Sequence, residues 1–330
     1  MARKLSVMVM WQFEMKREDA VLLARLADDA GVDSFWVPEG WGRDAFSLLT
    51  QLALETRRIR LATGIVNVYS RTPGALAQHF ATLDELSGGR AIIGLGASSA
   101  NVIEQFHGVP FQPALARIRE TVAIVRTLLR GERLVHHGKW FEMDRGFTLR
   151  MQPVRPEIPI FLATLNPKSV RMTAEIADGW IPAMIPTSRM KSAIDELKGW
   201  ALAAGRDPGA ISVKAGSVTV SDDPAARDRG RPITAFYIAR MGTFYYEQLA
   251  RYGYEAEAAL VKRTFEEHGS KAAAAAIPQK LVDDLGFAGS SEACRDKLVE
   301  LEEAGVDVPS ITIETRDPAK FRKAVETLLR

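Results

Sequence analysis

The sequence predicts an α/β protein: a (β/α)8 TIM barrel with a helical insertion before the last βα unit. Three observations carry this. Eight short runs rich in β-formers alternate with segments whose apolar residues recur at helical spacing. Most connections are short, and strands joined through helices call for parallel pairing. The rhythm breaks between residues 221 and 289, a stretch too long for a loop and rich in helix formers. An open doubly wound sheet is the other arrangement that the same alternation allows.

The elements follow in order. Leu5 to Met10 is the first strand, and residues 19–30 form a helix with apolar positions 20, 23, 24, 27 and 30, stopped by Gly31. Val32 to Val37 is the second strand, and Phe46, Leu49, Leu52 and Ala53 mark the next helix. Ile59 to Thr63 is the third strand. Thr72-Pro73 then reads as an N-cap with proline at the first helical position, and Gly88-Gly89 ends that helix. Ala91 to Leu95 is the fourth strand, and Leu115 to Leu129 a helix ending at Gly131. Gly131 to Pro159 is irregular and reads as a hairpin excursion around His136-His137. Ile158 to Ala163 is the fifth strand, and Asn166-Pro167 repeats the cap-plus-proline device. Trp180 to Ala183, Ile211 to Val220 and Val308 to Ile313 are the last three strands. Helices over 190–204, 293–304 and 321–329 complete the pattern.

Length and composition agree with one elaborated barrel. The 330 residues exceed the roughly 250 of a plain α/β barrel, and the insertion at 221–289 explains most of the surplus, so one domain over 1–330 is expected. The 43 Lys+Arg and 41 Asp+Glu leave a net charge of +2, which argues against nucleic-acid binding by phosphate neutralisation. No apolar run reaches the roughly 18 residues of a membrane span. The start has no secretory pattern. The single cysteine, Cys294, has no partner and favours a reducing, cytoplasmic compartment.

In a barrel, chemistry belongs at the C-terminal ends of the strands. After strand one come Trp11, Gln12 and Phe13, either pocket walls or packing. After strand two come Glu39, Gly40, Trp41 and Arg43. Glu39 reads as a proton donor or hydrogen-bond acceptor, or else as an Arg43 partner or helix-start acid. After strand three, Gly64-Ile65-Val66 suits a bulge. After strand four, Gly94-Leu95-Gly96-Ala97-Ser98 lets a ligand approach the backbone, but position 99 is serine, so it is no dinucleotide fingerprint. After strand five, Thr164-Leu165-Asn166-Pro167-Lys168-Ser169 opens a helix with free N–H groups, hydroxyls and a cation. It is the best phosphate seat in the chain, or ordinary capping. The histidines have no metal-ligand spacing, and there is neither a P-loop nor a nucleophile elbow.

The blocks Arg71-Thr72-Pro73, Leu83-Asp84-Glu85-Leu86-Ser87-Gly88-Gly89-Arg90, Gly94-Leu95-Gly96, His107-Gly108-Val109-Pro110-Phe111, Pro159 to Ala163 and Ala177-Asp178-Gly179-Trp180 resemble the bacterial luciferase-like superfamily. The details are most similar to its F420-dependent branch, which includes methylenetetrahydromethanopterin reductase. The resemblance implies a barrel that binds the deazaflavin coenzyme F420, with FMN as the alternative. It implies a non-proline cis peptide at Gly64-Ile65, set against the middle of the cofactor ring. It places Glu39 near the ring, Ala97 and Ser98 along the ribityl chain, and Thr164, Leu165 and Lys168 near the phosphate, with Gly64, Ile65, Val66, Gly96 and Ala163 as further cofactor contacts. Substrate would lie by Trp11, Trp41 and the inserted helices.

The sequence departs from the sugar-phosphate dehydrogenases of that branch at two places. Gly40 stands where they carry a catalytic histidine, and Ser98-Ser99 where they carry a Gly-Glu pair. Glu39 is then the remaining acid of the rim segments, with Trp41 and Trp11 beside it as catalytic candidates. The expected activity is hydride transfer between F420 and a small organic substrate, with reduction of an activated C=C or C=N bond as one form. An FMN-dependent two-component monooxygenase and a non-catalytic flavin-binding protein are the alternatives. The resemblance also implies a homodimer, with the apolar stretch Phe46 to Leu54 as a candidate contact.

Overall fold

The computed structural model describes residues 3–9, 15–111 and 114–330. Trp11, Gln12 and Phe13 lie outside these residues. The chain divides into two compact units. The first is Val7–Ala163 with Glu175–Trp180. The second is Thr164–Ala174 and Ile181–Arg330, with the N-terminal stretch up to Ser6. Parallel strands alternate with helices as the (β/α)8 reading expects.

In the first unit β1 (Ser6–Met8) leads to α1 (Arg17–Ala30), which Gly31 ends at φ 82°. Next come β2 (Ser34–Val37), α2 (Ala45–Glu55), β3 (Arg60–Thr63) and a two-residue strand, β4 (Val66–Asn67). α3 (Pro73–Ser87) begins as expected, with the Thr72 hydroxyl accepting from Ala75 N–H and proline in the first turn. β5 (Ala91–Gly96), α4 (Ala100–Gln105) and α5 (Ala114–Leu129) follow. An antiparallel hairpin, β6 (Leu134–His137) and β7 (Glu142–Phe147), then precedes β8 (Ile160–Ala163). α6 (Pro167–Ile176), most of which belongs to the second unit, and β9 (Gly179–Trp180) come next in the chain. The strand order is β1-β2-β3-β5-β8-β9, with β4 on β5. These strands are buried on both faces, so they read as continuous apolar runs without alternation.

The beginnings of the strands are tied down by carboxylates, of which Asp28 and Asp84 are buried and Asp178 half-buried. Asp28, 5% exposed, accepts N–H bonds from Arg57, Arg58 and Ile59 at 2.7–2.8 Å and so fixes the entry to β3. Burial alone would raise its pKa, but these three N–H bonds outweigh that and lower it. Asp84 accepts from Ala91 N–H at 2.9 Å and from Arg155 at 2.8 Å, which fixes the entry to β5. Asp178 accepts from Ile160 N–H at 2.8 Å at the entry to β8 and pairs with Arg126.

The second unit holds α7 (Thr187–Ala203), β10 (Ser212–Val220), α8 (Arg231–Arg240), α9 (Phe244–Arg251), α10 (Glu255–Ala276) and α11 (Gln279–Leu285). β11 (Phe287–Gly289), α12 (Ser291–Glu303), β12 (Val308–Ile313) and α13 (Pro318–Leu328) complete it. β10 pairs in parallel with both β11 and β12. Helices α8 to α11 bury a core of their own, which includes Ile238, Leu249, Tyr254, Val261, Ile277 and Leu281. Cys294 is buried in α12, where its thiol donates to the carbonyl of Thr219. Burial pushes that thiol up to about 11, which makes it inert.

Several expectations need correction. The sixth strand was expected over Trp180 to Ala183; the structure places it at Gly179–Trp180. β4, β11 and α4 are additions, each too short for periodicity to reveal. The stretch Phe46 to Leu54 is mostly spent on the protein's own core: Phe46, Leu48, Leu49 and Leu52 are buried, and Leu54 is its exposed apolar residue.

Candidate functional site

Glu39 follows β2. Its carboxylate pairs with Arg71 in a two-point fork, Oε1 to Nη1 at 2.5 Å and Oε2 to Nη2 at 3.0 Å. Oε2 also accepts from Ala45 N–H, the first residue of α2, at 2.9 Å. The side chains are 7% and 19% exposed. Glu39 is thus a helix-start acid, and its ion-pair partner is Arg71 where the sequence suggested Arg43. Arg71 lies 5.0 Å from the Phe46 ring, which stacks on His79 at 4.6 Å. Burial, then the charge of Arg71, pushes His79 below the usual histidine range. Trp41, in the loop before α2, is 43% exposed.

Beyond β3 the Gly64–Ile65 peptide is cis, as the resemblance implied. Gly64 N–H donates to Val37 O at 2.8 Å, and Glu39 N–H to Ile65 O at 3.2 Å, so the two strand ends are laced together. Gly64 and Ile65 are half-buried, while Val66 is fully buried. Asn67 ends β4, opposite Gly96 in register. Its Oδ1 accepts from Tyr69 N–H at 3.0 Å and Ser70 N–H at 2.7 Å. Those two bonds fix the amide, so Nδ2 faces His107 Nε2 at 3.4 Å.

The two glycines of β5 do different work. A Cβ on Gly94 would lie 1.9 Å from Thr63 O, so Gly94 serves close strand packing. A Cβ on Gly96 would meet Ile65 Cδ1 at 3.1 Å and Ala163 Cβ at 3.4 Å. Gly96, Ile65 and Ala163 therefore form one close-set group at the strand ends. Beyond Gly96 the chain opens: Ala97 and Ser98 are half-buried, and Ser98 has φ 62°. A non-glycine residue in that region marks a site worth testing for function.

In the second unit, the helix start at Asn166 is partly self-capped. Asn166 Oδ1 accepts from Ser169 N–H at 3.0 Å, and Ser169 Oγ donates to Asn166 O at 2.8 Å. Thr164 Oγ1 lies 2.8 Å from Thr173 Oγ1. These hydroxyls are turned into the protein. Leu165 is half-buried, and Lys168 is exposed and carries the positive charge of this turn.

The strand ends of the Val7–Ala163 unit fit a flat group. The strand interiors are fully buried, and the residues at or just past their ends (64, 65, 97, 98 and 163) are small or apolar and half-exposed. An open apolar surface edged by backbone groups suits a planar ring. In the second unit, taken by itself, Lys168 sets a cation in the first turn of α6.

A model of luciferase-like monooxygenases matches residues 5–308. This chain belongs to the luciferase-like monooxygenase family. It is 34% identical over 325 residues, 92% of each chain, to a Mycobacterium tuberculosis protein that carries the provisional name coenzyme F420-dependent oxidoreductase. It is 28% identical over 298 residues, 89% of each, to 5,10-methylenetetrahydromethanopterin reductase of Archaeoglobus fulgidus. The coenzyme F420-dependent tetrahydromethanopterin reductase of Methanopyrus kandleri superposes with a TM-score of 0.84 at 23% identity, over 100% of this chain and 98% of that one. The likeness establishes the TIM-barrel fold of this luciferase-like chain.

The structure also explains the family's most specific block. In Leu83 to Arg90, Asp84 holds the entry to β5, and Arg90 donates to the carbonyls of Ala53, Thr56, Ile59 and Ser87. The block is structural and lies at the strand beginnings. Sequence reading missed Arg71, Asn67, His107 and Arg117 as rim residues. Arg71 and His107 stood in recognised blocks, but nothing local joins them to Glu39 or Asn67.

Proposed function

We propose that this chain is an F420-dependent oxidoreductase that transfers a hydride between the deazaflavin and a small organic substrate. The observation that carries the reading is the open group at the strand ends, Gly64-Ile65, Gly96-Ala97-Ser98 and Ala163, in a chain whose relatives are named for F420. When bound, the deazaflavin supplies the hydride chemistry. Gly64, Ile65, Val66, Gly96, Ala97, Ser98 and Ala163 are the proposed ring and ribityl contacts, Val66 through its backbone because its side chain is buried. Thr164, Leu165 and Lys168 are the proposed phosphate contacts, with Lys168 as the charge.

The chain's own residues position and exclude water. The Glu39–Arg71 fork holds the ring-side loop after β2. Glu39 serves as a proton donor only when that fork opens, so substrate entry and proton transfer are coupled there. Trp41 walls the substrate side. Reduction of an activated C=C or C=N bond suits a rim at which Glu39 is the acid among the described residues. The substrate is an organic small molecule, and the protein acts as a cytoplasmic homodimer.

The test is a cofactor titration. Oxidised F420 added to the purified protein is expected to bind with quenched cofactor fluorescence, and FMN is expected not to bind. Tight FMN binding without F420 binding would reverse the reading towards the monooxygenase. Glu39→Gln tests the acid role: unchanged turnover across the pH range removes it.

A further inference from the structure

We propose that Arg117 is a built anion position at the strand-end rim of the Val7–Ala163 unit, taking a carboxylate or phosphate group of a bound ligand. As a statement about substrate class it rests on the function proposed above; as a binding site it does not.

Arg117 lies in the first turn of α5, and its guanidinium is held on three sides. Nε donates to Val68 O at 2.9 Å. The charged carbon sits 4.8 Å from the Tyr69 ring centre and 5.2 Å from that of Phe141. Neither ring is loose. Tyr69 is 5% exposed, stacks on Phe111 at 5.4 Å, and has its N–H bonded to Asn67. Phe141 N–H donates to Glu120 at 3.0 Å.

A guanidinium has five N–H donors, and here one is spent. Among the described residues, no protein acceptor takes the two terminal nitrogens, and no carboxylate pairs with them. The acids nearby in sequence are engaged elsewhere. Glu120 accepts from Lys139, Trp140 and Phe141 N–H, and Glu104 from Phe111 N–H. A planar fork already oriented between two rings matches the two oxygens of a carboxylate or phosphate. Most of the side-chain ordering cost is met before a ligand arrives.

The place is informative too. Val68 N–H donates to Gly96 O at 3.1 Å, so the residue that anchors Arg117 is bonded to the glycine of the open strand-end group. An acidic group at Arg117 would therefore belong to a molecule lying on that rim. It is carried by the substrate or by the cofactor's own acidic groups.

The experiment titrates the purified chain with benzoate and with inorganic phosphate, following the Arg117 Nε–H resonance and the calorimetric heat. The wild type is expected to bind at least one probe with that resonance shifting. Arg117→Gln is expected to weaken binding at least tenfold, and Arg117→Lys to fall between, because an ammonium lacks the fork. Phe141→Leu, which loosens the stack without touching the charge, should weaken it two- to fivefold. Unfolding midpoints of all variants show whether the fold is kept. Binding lost in Lys168→Gln and kept in Arg117→Gln would overturn the proposal. So would a wild type that binds neither probe.

F420 titration assigns the source. A tenfold loss in Arg117→Gln makes the anion the cofactor's; unchanged F420 affinity makes it the substrate's. Failure of the wild type to bind F420, with the Arg117-dependent anion site intact, breaks the function proposed above and leaves this site standing.

Discussion

The two ends of the strands in the Val7–Ala163 unit are built from opposite materials. At the beginnings, Asp28, Asp84 and Asp178 are locked onto backbone N–H groups, and Arg90 onto four carbonyls. At the far ends stand Gly64, Ile65, Ala97, Ser98 and Ala163, small or apolar and half-exposed, around the buried Gly96. The first end is strong in sequence motif and holds the fold. The second is weak in motif and is where a ligand fits. In this chain the block that best identifies the family says least about chemistry.

Breaking the first end should cost most. Asp84→Ala removes the acceptor of Ala91 N–H and the partner of Arg155 in a nearly buried place. A loss of about 3–5 kcal/mol is expected by urea unfolding, with the ligand affinity of the surviving folded fraction unchanged. A loss under about 1 kcal/mol would show that the strand beginnings are not the stabilising end.

A buried charge at the start of β10 sharpens the point with opposite sign. Lys214 is 2% exposed, and its Nζ donates to Ser310 Oγ at 2.6 Å; Ser310 Oγ lies 3.2 Å from Ser6 Oγ. Burial lowers its pKa from 10.5 to about 7. Between pH 7 and 10.5 the unfolded chain therefore binds more protons than the folded one, and stability rises with pH across that window. Below pH 7 both states are charged and the penalty is complete. Lys214→Met should thus stabilise by on the order of 1–3 kcal/mol at pH 6, and the gain should shrink towards pH 10. A gain independent of pH would exclude the charge as its cause.

At the far end, effects on stability should be smaller and effects on binding larger. Gly96→Val forces a side chain against Ile65 and Ala163. A cost of about 1–3 kcal/mol is expected from overpacking, with F420 affinity falling at least tenfold. Unchanged affinity would show that this group is packing alone. Ser98→Gly relieves a residue at φ 62°. It should change stability by about 1 kcal/mol or less, while altering F420 affinity if the loop is a contact. No change in affinity removes Ser98 from the proposed set.

The helices between β10 and β11 show why parts of the chain resisted reading. α8 to α11 bury a core made of Ile238, Leu249, Val261 and Leu281, and the sequence reads this stretch only as rich in helix formers. It does not show which faces meet. The same limit applied at the rim. Glu39 and Trp41 were found because they directly follow a strand. Arg71 lies 32 residues from Glu39, and His107 lies 40 from Asn67.

The sequence by itself determined the alternation of strands and helices, the caps at Thr72 and Asn166, the (β/α)8 class and the family. These rest on local geometry: side-chain period, proline and glycine dihedrals, and capping hydroxyls act within a few residues. Tertiary structure alone decided that Glu39 is forked to Arg71, that Gly94 packs against Thr63 while Gly96 joins the strand-end group, and that Arg117 is held between Tyr69 and Phe141. The reason is physical. Ion pairs, ring stacks and close backbone approach depend on distances in space, and folding sets those between residues the chain keeps far apart.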